Sequence, residues 1–316
     1  MGPPSLDEIV AARERLRGLA IRTPLMRWHD GPGEIWLKLE TLQPVGAFKI
    51  RGAGNAMLQA SADQLRKGVV TASAGNMAQG VAWCARMLGI PCHVVVPDHA
   101  PLTKIAAIER LGGQITKVSF DRWWRVLQER HYDGCDGLFI HPVADPAVIA
   151  GNATIGLEIA EDLPDVATIL VPFGGGGLAS GVAAAMAVVA PAANVVAVEP
   201  ETAAPLHASW GAGTPTAVDY RASFIDGSGG KAVLTEMWPL VRSLLKGSVT
   251  VTVAQTAESV RLLAERARVV AEGAGALALA AARSGRYAGG KVVAVVSGGN
   301  IDSSRLVRIL QGEVPE

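Results

Sequence analysis

Short apolar runs alternate with stretches of helical periodicity along most of the chain, and this rhythm limits the possible folds more tightly than any other feature. Strand-like runs at 69–71, 93–97, 115–120 and 138–141 are followed in turn by helical patterns at 77–88, 103–111, 123–130 and 147–163. A strand at 168–172, a helix at 177–189 and a strand at 195–198 continue the series. Apolar strands interleaved with helices of this length form βαβ units and build a mostly parallel sheet. Ser5 and Glu8 make a capping box for a first helix, and residues 34–40 read as a strand leading into a loop that holds Lys49. Towards the other end, 249–253 and 292–296 read as strands, with a long helix at 257–270, a second helix after Gly275, and irregular chain over 200–247. At 316 residues there is room for two domains.

Charge excludes several partners. Lysine plus arginine equals aspartate plus glutamate at 29 each, and the basic residues are scattered, so neither nucleic acid nor an anionic membrane is expected to bind. Cys84, Cys92 and Cys135 are odd in number and lack CxxC spacing, which argues against a disulfide framework and a zinc site. The uncharged run 177–198 is long enough to raise a membrane span. It is rich in alanine and glycine and broken by Pro191, and it reads as a buried helix followed by a buried strand. The N-terminus has neither the basic segment nor the apolar core of an export signal, so a cytoplasmic protein is expected.

Sheets of this kind bind ligands beyond the carboxyl ends of their strands, where the glycine-rich sequences of this chain fall. They are Ser73-Ala74-Gly75-Asn76, Phe173-Gly174-Gly175-Gly176-Gly177 and Ser297-Gly298-Gly299-Asn300. Gly174 to Gly177 lie between a strand and a helix, so bare backbone amides gather at a helix N-terminus, which is a cradle for phosphate. The loop lacks the Lys-Ser/Thr of a P-loop and the pattern of a dinucleotide fingerprint. Lys49, held between Phe48 and Ile50 with small residues on both sides, reads as an amine in a partly apolar setting. Desolvation lowers an amine's pKa, and an uncharged amine is a nucleophile. Each feature alone also suits a structural turn or an ordinary surface lysine. Together, an amine, a phosphate cradle and two further polar loops meet the needs of pyridoxal phosphate.

On these residues the chain resembles the fold type II pyridoxal-phosphate enzymes, the tryptophan synthase β-like group, and within it the serine/threonine dehydratase and serine racemase branch. The matching stretches are Arg22-Thr23-Pro24-Leu25, Lys38-Leu39-Glu40, Phe48-Lys49-Ile50-Arg51-Gly52-Ala53, Ser73-Ala74-Gly75-Asn76, Gly174 to Leu178 and Ser297-Gly298-Gly299-Asn300, in the family's order. The resemblance implies an α/β fold of two doubly wound parallel-sheet domains. The larger would comprise 1–44 and 148–316, and a smaller one, 45–147, would be inserted in it. No C-terminal regulatory domain is expected. Lys49 would bind the cofactor covalently and later take the substrate's Cα proton. Phe48, Gly174, Gly175, Gly176, Gly177 and Leu178 would line the cofactor, Asn76 would bond its ring oxygen, and Ser297 would meet its ring nitrogen. A hydroxyl at that nitrogen makes the ring a weaker electron sink and favours loss of a β-substituent. Ser73, Ala74, Gly75, Asn76 and Met77 would hold the substrate carboxylate, and Glu272 matches a family glutamate near the ring. A helix-end carboxylate is the plainer reading of Glu272.

Three positions depart from the branch. Racemases carry a second serine where this chain has Ala74, and an alanine moves no proton, so little racemisation is expected. Met77 stands where the family usually has histidine. With Trp123 and Trp124 it would leave room for a bulkier substrate, although tryptophans more often serve packing. Some members bind a divalent cation through a Val-Glu-Pro glutamate; Glu199 and the Ala203 carbonyl match, but the other carboxylate falls on Pro205, so no tight metal site is expected. The implied activity is dehydration and deamination of a small β-hydroxy amino acid, L-threonine or L-serine first, by a homodimer. A bulkier phenylserine- or hydroxyaspartate-like substrate, β-replacement of the cysteine synthase type, and a non-catalytic homologue are the alternatives.

Overall fold

Among the described residues ten strands carry the core: β1 (Leu25–Trp28), β2 (Glu34–Leu39), β3 (Val69–Ala72), β4 (Cys92–Pro97), β5 (Gln114–Val118), β6 (Leu138–Phe139), β7 (Val166–Pro172), β8 (Asn194–Pro200), β9 (Ser248–Val251) and β10 (Lys291–Val296). The computed structural model, which describes residues 1–315, arranges six in the order β1-β2-β10-β7-β8-β9 and four in the order β5-β4-β3-β6. All pairings are parallel except β1 with β2. Successive side chains of a strand point to opposite faces, and both faces of each sheet are covered. In β7, Ile169 and Val171 enter one core with Ala179 and Val182 of helix Gly177–Val189, whereas Leu170 enters another with Leu277 and Leu279 of helix Gly273–Ala282. The smaller sheet divides likewise, with Val94 and Val96 on one side and Val95 on the other. This double burial is why the strands read as continuous apolar runs. The result is an α/β fold of two doubly wound, essentially parallel sheets, as the resemblance implies.

Several local readings need correction. Lys49 lies at the first position of helix Lys49–Gln59 rather than in a loop. β1 is a strand that the Pro24 break concealed, and it pairs antiparallel with β2. Phe120 opens helix Phe120–Glu129 instead of ending a strand, because the Ser119 hydroxyl accepts from the Arg122 amide and caps it. The helix placed at 257–270 is Val253–Leu262 continued by a π-turn, Leu263–Ala267, and it stops at Arg268 with φ 59°. The helix expected after Gly275 starts at Gly273. Region 200–247 contains helices Pro205–Ala212 and Trp238–Leu244, and Ser303–Leu310 is a further helix. Among the described residues no helix is long and apolar enough to cross a membrane; the uncharged run forms helix Gly177–Val189 and β8.

All strands of the smaller sheet lie between residues 45 and 147. Packing crosses those bounds, because Leu16 and Leu19 enter the same core as Ile50 and Val81. Helix Lys49–Gln59 presses on helix Pro146–Asp162 through Gly52, where a Cβ would lie 2.6 Å from Val148 and 2.9 Å from Asn152. Beneath this contact sits a buried ionic quartet. Arg51 donates to both carboxylate oxygens of Glu40 at 2.8 Å and to both of Glu158 at 2.6 and 2.9 Å. Lys38 bonds Glu158 at 2.5 Å, and Thr23 donates to Glu40 at 2.6 Å. Two cations and two anions, at most 4% exposed, thereby tie the lysine-bearing helix to β2 and to helix Pro146–Asp162.

Candidate active site

The helix after β3 and the end of β10 adjoin Lys49 and Phe48, and the loop after β7 is linked to Lys49 through the turn Pro142–Val143. The Lys49 side chain is half-buried; Nζ donates to the Pro142 carbonyl at 3.2 Å and lies 5.0 Å from the centre of the Phe48 ring. Gly80 of helix Asn76–Leu88 allows that helix to approach closely, since a Cβ there would be 3.2 Å from the Lys49 backbone. Burial lowers the Lys49 pKa to about 8, against an opposing pull from the Glu272 charge. At pH 7 about one amine in ten is then neutral, against fewer than about one in a thousand for an ordinary lysine.

Gly174 to Gly177 turn from β7 into helix Gly177–Val189, with Gly176 at φ 99°. Val143 backs the loop closely enough that any Cβ on Gly175 would collide with it. Among the described residues the amides of Gly174, Gly175, Gly176, Gly177 and Leu178 find no acceptor within the chain. Five unpaired donors at a helix N-terminus fit a phosphate group. Leu178 is 6% exposed and packs beneath the loop.

The other two loops are joined by side chains. Asn76 opens helix Asn76–Leu88; its Nδ2 donates to Glu272 at 2.6 Å and its Oδ1 accepts from Asn300 at 2.8 Å. Asn300 also donates to the Val45 carbonyl at 2.8 Å. Ser297 is buried, and its carbonyl accepts from the Phe48 amide at 3.1 Å, which stitches the end of β10 to the residue before Lys49. Glu272 is buried at the N-terminus of helix Gly273–Ala282; burial and nearby Asp226 raise its pKa to about 7, although Asn76, Lys104 and Lys49 favour the charged form. Glu272 thus bonds Asn76 in addition to preceding a helix. The Ser73 hydroxyl accepts from the Gly75 amide at 3.2 Å and shapes the turn through Ala74. A cleft of ≈ 180 Å³ opens here between Gly75, Asn76 and Lys104 on one side and Asp226, Glu272 and Asn300 on the other.

Two expected contributions lie elsewhere. The Met77 side chain is 1% exposed and packs with Ile50 and Val81, so only its backbone borders the loop. Trp123 packs on the smaller sheet and Trp124 is 39% exposed on the same helix, which makes them packing and surface residues. Glu199 accepts from the amides of Leu206 and His207 at 2.8 Å and from the Ser248 hydroxyl at 2.7 Å, so its carboxylate caps helix Pro205–Ala212, beyond Ala203. Among the described residues no cluster of three or more His, Cys, Asp or Glu could hold a metal. Asn300, His141 and Pro142 were not singled out in the sequence. The Ser-Gly-Gly-Asn motif signals the first, whereas nothing local marks the other two.

A lysine amine of lowered pKa and an anion-ready glycine loop are two of the parts that a pyridoxal-phosphate enzyme requires. The family model described as "Pyridoxal-phosphate dependent enzyme" matches residues 16–298, and the chain belongs to this family. Its relatives place it in the serine/threonine dehydratase branch. It is 41% identical over 313 residues to the L-threonine ammonia-lyase of Thermotoga maritima, covering 97% of this chain and 78% of that one. It is 39% identical over 316 residues to the catabolic L-threonine dehydratase of Escherichia coli K12, covering 97% and 96%. The structure of maize serine racemase superposes with a TM-score of 0.87 at 32% identity, covering 98% of each chain.

Proposed function

We propose that this protein removes water from L-threonine or L-serine and releases a 2-oxo acid and ammonia. The observation that carries this reading is the Lys49 amine, depressed to a pKa of about 8, within one site with the five unpaired amides from Gly174 to Leu178. Those amides would hold the cofactor phosphate, Lys49 would bind its aldehyde carbon, Phe48 would line the ring, and Asn76 and Ser297 would meet its polar edge. When bound, pyridoxal phosphate supplies a conjugated ring that takes up electron density from the substrate's Cα. Lys49, freed by the substrate amine, accepts the Cα proton. The amides from Ser73 to Met77 open helix Asn76–Leu88 and suit the substrate carboxylate. Loss of the β-hydroxyl yields an enamine, whose imine form adds water to give the 2-oxo acid and ammonia. Ala74 offers no proton to the opposite face, which favours elimination over racemisation.

The family likeness supports a cytoplasmic homodimer with the smaller domain at 45–147. The test is an absorption spectrum of the purified protein before and after L-threonine, L-serine or threo-phenylserine, with the 2-oxo acid assayed in parallel and the active species sized by sedimentation. A yellow dimer that changes spectrum and releases 2-oxo acid from threonine or serine is expected. Turnover of phenylserine alone moves the reading to the bulkier substrate class, sulfide incorporation from O-acetylserine moves it to β-replacement, and rapid interconversion of serine enantiomers overturns the role given to Ala74.

A further inference from the structure

The turn after β6 touches Lys49 and the Gly174–Gly177 loop, although it lies outside the stretches matched to the family above. His141 is 4% exposed, and its Nδ1 accepts from the Val143 amide at 3.1 Å and the Ala144 amide at 2.8 Å. Those two bonds fix the tautomer: Nδ1 is the acceptor and the proton sits on Nε2. The turn so closed aims the Pro142 carbonyl at Lys49 Nζ, 3.2 Å away. It also seats Val143 against Gly175, and the Val143 carbonyl would lie 3.0 Å from a Cβ on Gly177. Both flanks of the turn are anchored. Ile140 donates to Val70 at 2.8 Å and accepts from the Thr71 hydroxyl at 2.9 Å, the Ala144 carbonyl accepts from Arg130 at 2.7 Å, and Asp145 caps helix Pro146–Asp162 through Ala147 at 2.8 Å.

We infer that His141 is a positioning residue: its imidazole sets one rigid turn that holds the free Lys49 amine on the Pro142 carbonyl and sets the height of the Gly174–Gly177 loop. This rests on the pyridoxal-phosphate reading of the site. Whenever Lys49 is not covalently engaged, an N–H of the amine bonds the carbonyl, which holds the nitrogen in place and leaves the lone pair of its neutral form two directions instead of three. Arg130 and Lys49 are the charged groups that act on the ring, Asp145 facing the His141 backbone, and burial with these two cations brings the His141 pKa down to about 4. The acceptor at Nδ1 therefore persists across the pH range in which such an enzyme works.

Two substitutions separate positioning from packing. Leucine in His141→Leu fills space and removes the acceptor, whereas asparagine in His141→Asn retains one able to reach the second and third amides onward, as asparagine does in turns. Apoprotein of each is mixed with pyridoxal phosphate, the growth of the imine absorbance is followed, and kcat and KM are then measured for the preferred substrate. Misplacement of a reacting group by about 1 Å costs on the order of 100-fold, so H141L is expected to slow imine formation and lower kcat by about 10- to 100-fold, with KM nearly unchanged. H141N is expected to recover most of both. If H141L does not fold, H141N against H141Q carries the comparison, because the longer side chain misplaces its acceptor. Wild-type rates in H141L, or equal losses in H141N and H141L, overturn the inference. A wild-type apoprotein that forms no imine overturns instead the functional reading beneath it.

Discussion

Glu272 and Lys49 carry opposite charges in one buried site, and each alters the other. The Glu272 charge raises the lysine pKa while burial lowers it, and the carboxyl itself is raised to about 7. A carboxyl whose folded pKa exceeds its unfolded value of 4.5 keeps its proton in the folded chain after the unfolded chain has lost it. Its contribution to stability is therefore fully present below about pH 4.5 and is lost as pH rises to about 7. In cofactor-free protein, Glu272→Gln is expected to flatten this fall, and urea unfolding at intervals between pH 4.5 and 7.5 measures it. The same substitution removes the charge that favours protonated Lys49, so the pH midpoint for imine formation is expected to drop below about 8. Identical stability slopes in the two proteins would remove the coupling. At this scale the sequence was informative for residues with distinctive chemistry. Lys49, Ser297, Asn76 and the four glycines, which we propose form one site, could be picked out because a lysine among apolar residues and glycine-rich turns after three strands are informative in combination, although each alone suits a plain turn or a surface lysine. The Met77 side chain turns to Ile50 and Val81, which sequence could not tell, because the identity of a side chain does not say which face of a helix N-terminus it takes.

Among the elements, helix Lys49–Gln59 holds the reactive lysine only as firmly as its anchor allows, and that anchor is the quartet of Lys38, Glu40, Arg51 and Glu158. The group is neutral as a whole, with Arg51 in bidentate contact with both carboxylates. Breaking a buried pair leaves a charge without compensation and costs about 3–5 kcal/mol, even where the intact pair contributes little net stability. Glu158→Ala is thus expected to lower unfolding free energy by about that amount, read as a reduced urea midpoint at unchanged slope. A loss under about 1 kcal/mol would mean that water or Glu40 alone satisfies both cations. Long-range partners of this kind are separated by up to 120 residues and leave no local signal. Local rhythm did reveal the elements that are long and doubly buried. It missed β1 and the helices of 200–247, where a proline break or only two turns of helix left too little periodicity to recognise.

Taken whole, the molecule is two sheets facing each other across the site, and one ion pair spans the mouth. Lys104 of helix Leu102–Arg110, which packs with the smaller sheet, reaches Asp226 on the larger side at 2.7 Å, while Thr103 donates to Asp302 at 3.2 Å. Both Lys104 and Asp226 border the cleft that leads to Asn76 and Glu272. For a substrate that enters the cofactor-loaded enzyme through this cleft, only the fraction of molecules in which the bridge is open can bind it, and its apparent affinity is reduced by that fraction. The pair is partly exposed, with side chains 24% and 36% accessible, so it contributes at most about 1 kcal/mol and is weakened by salt. Lys104→Gln is accordingly expected to lower KM by no more than about fivefold at low ionic strength. The wild-type KM should approach the variant's value as salt is raised to about 0.5 M, where screening shortens to a few ångströms. The two KM values have to be compared at constant kcat, because Lys104 also favours ionised Glu272 and a shift in the chemical step would appear in kcat first. A KM that is unchanged or raised in Lys104→Gln would mean that the bridge does not restrict entry, and that the two sheets open wide enough for a small amino acid without breaking it.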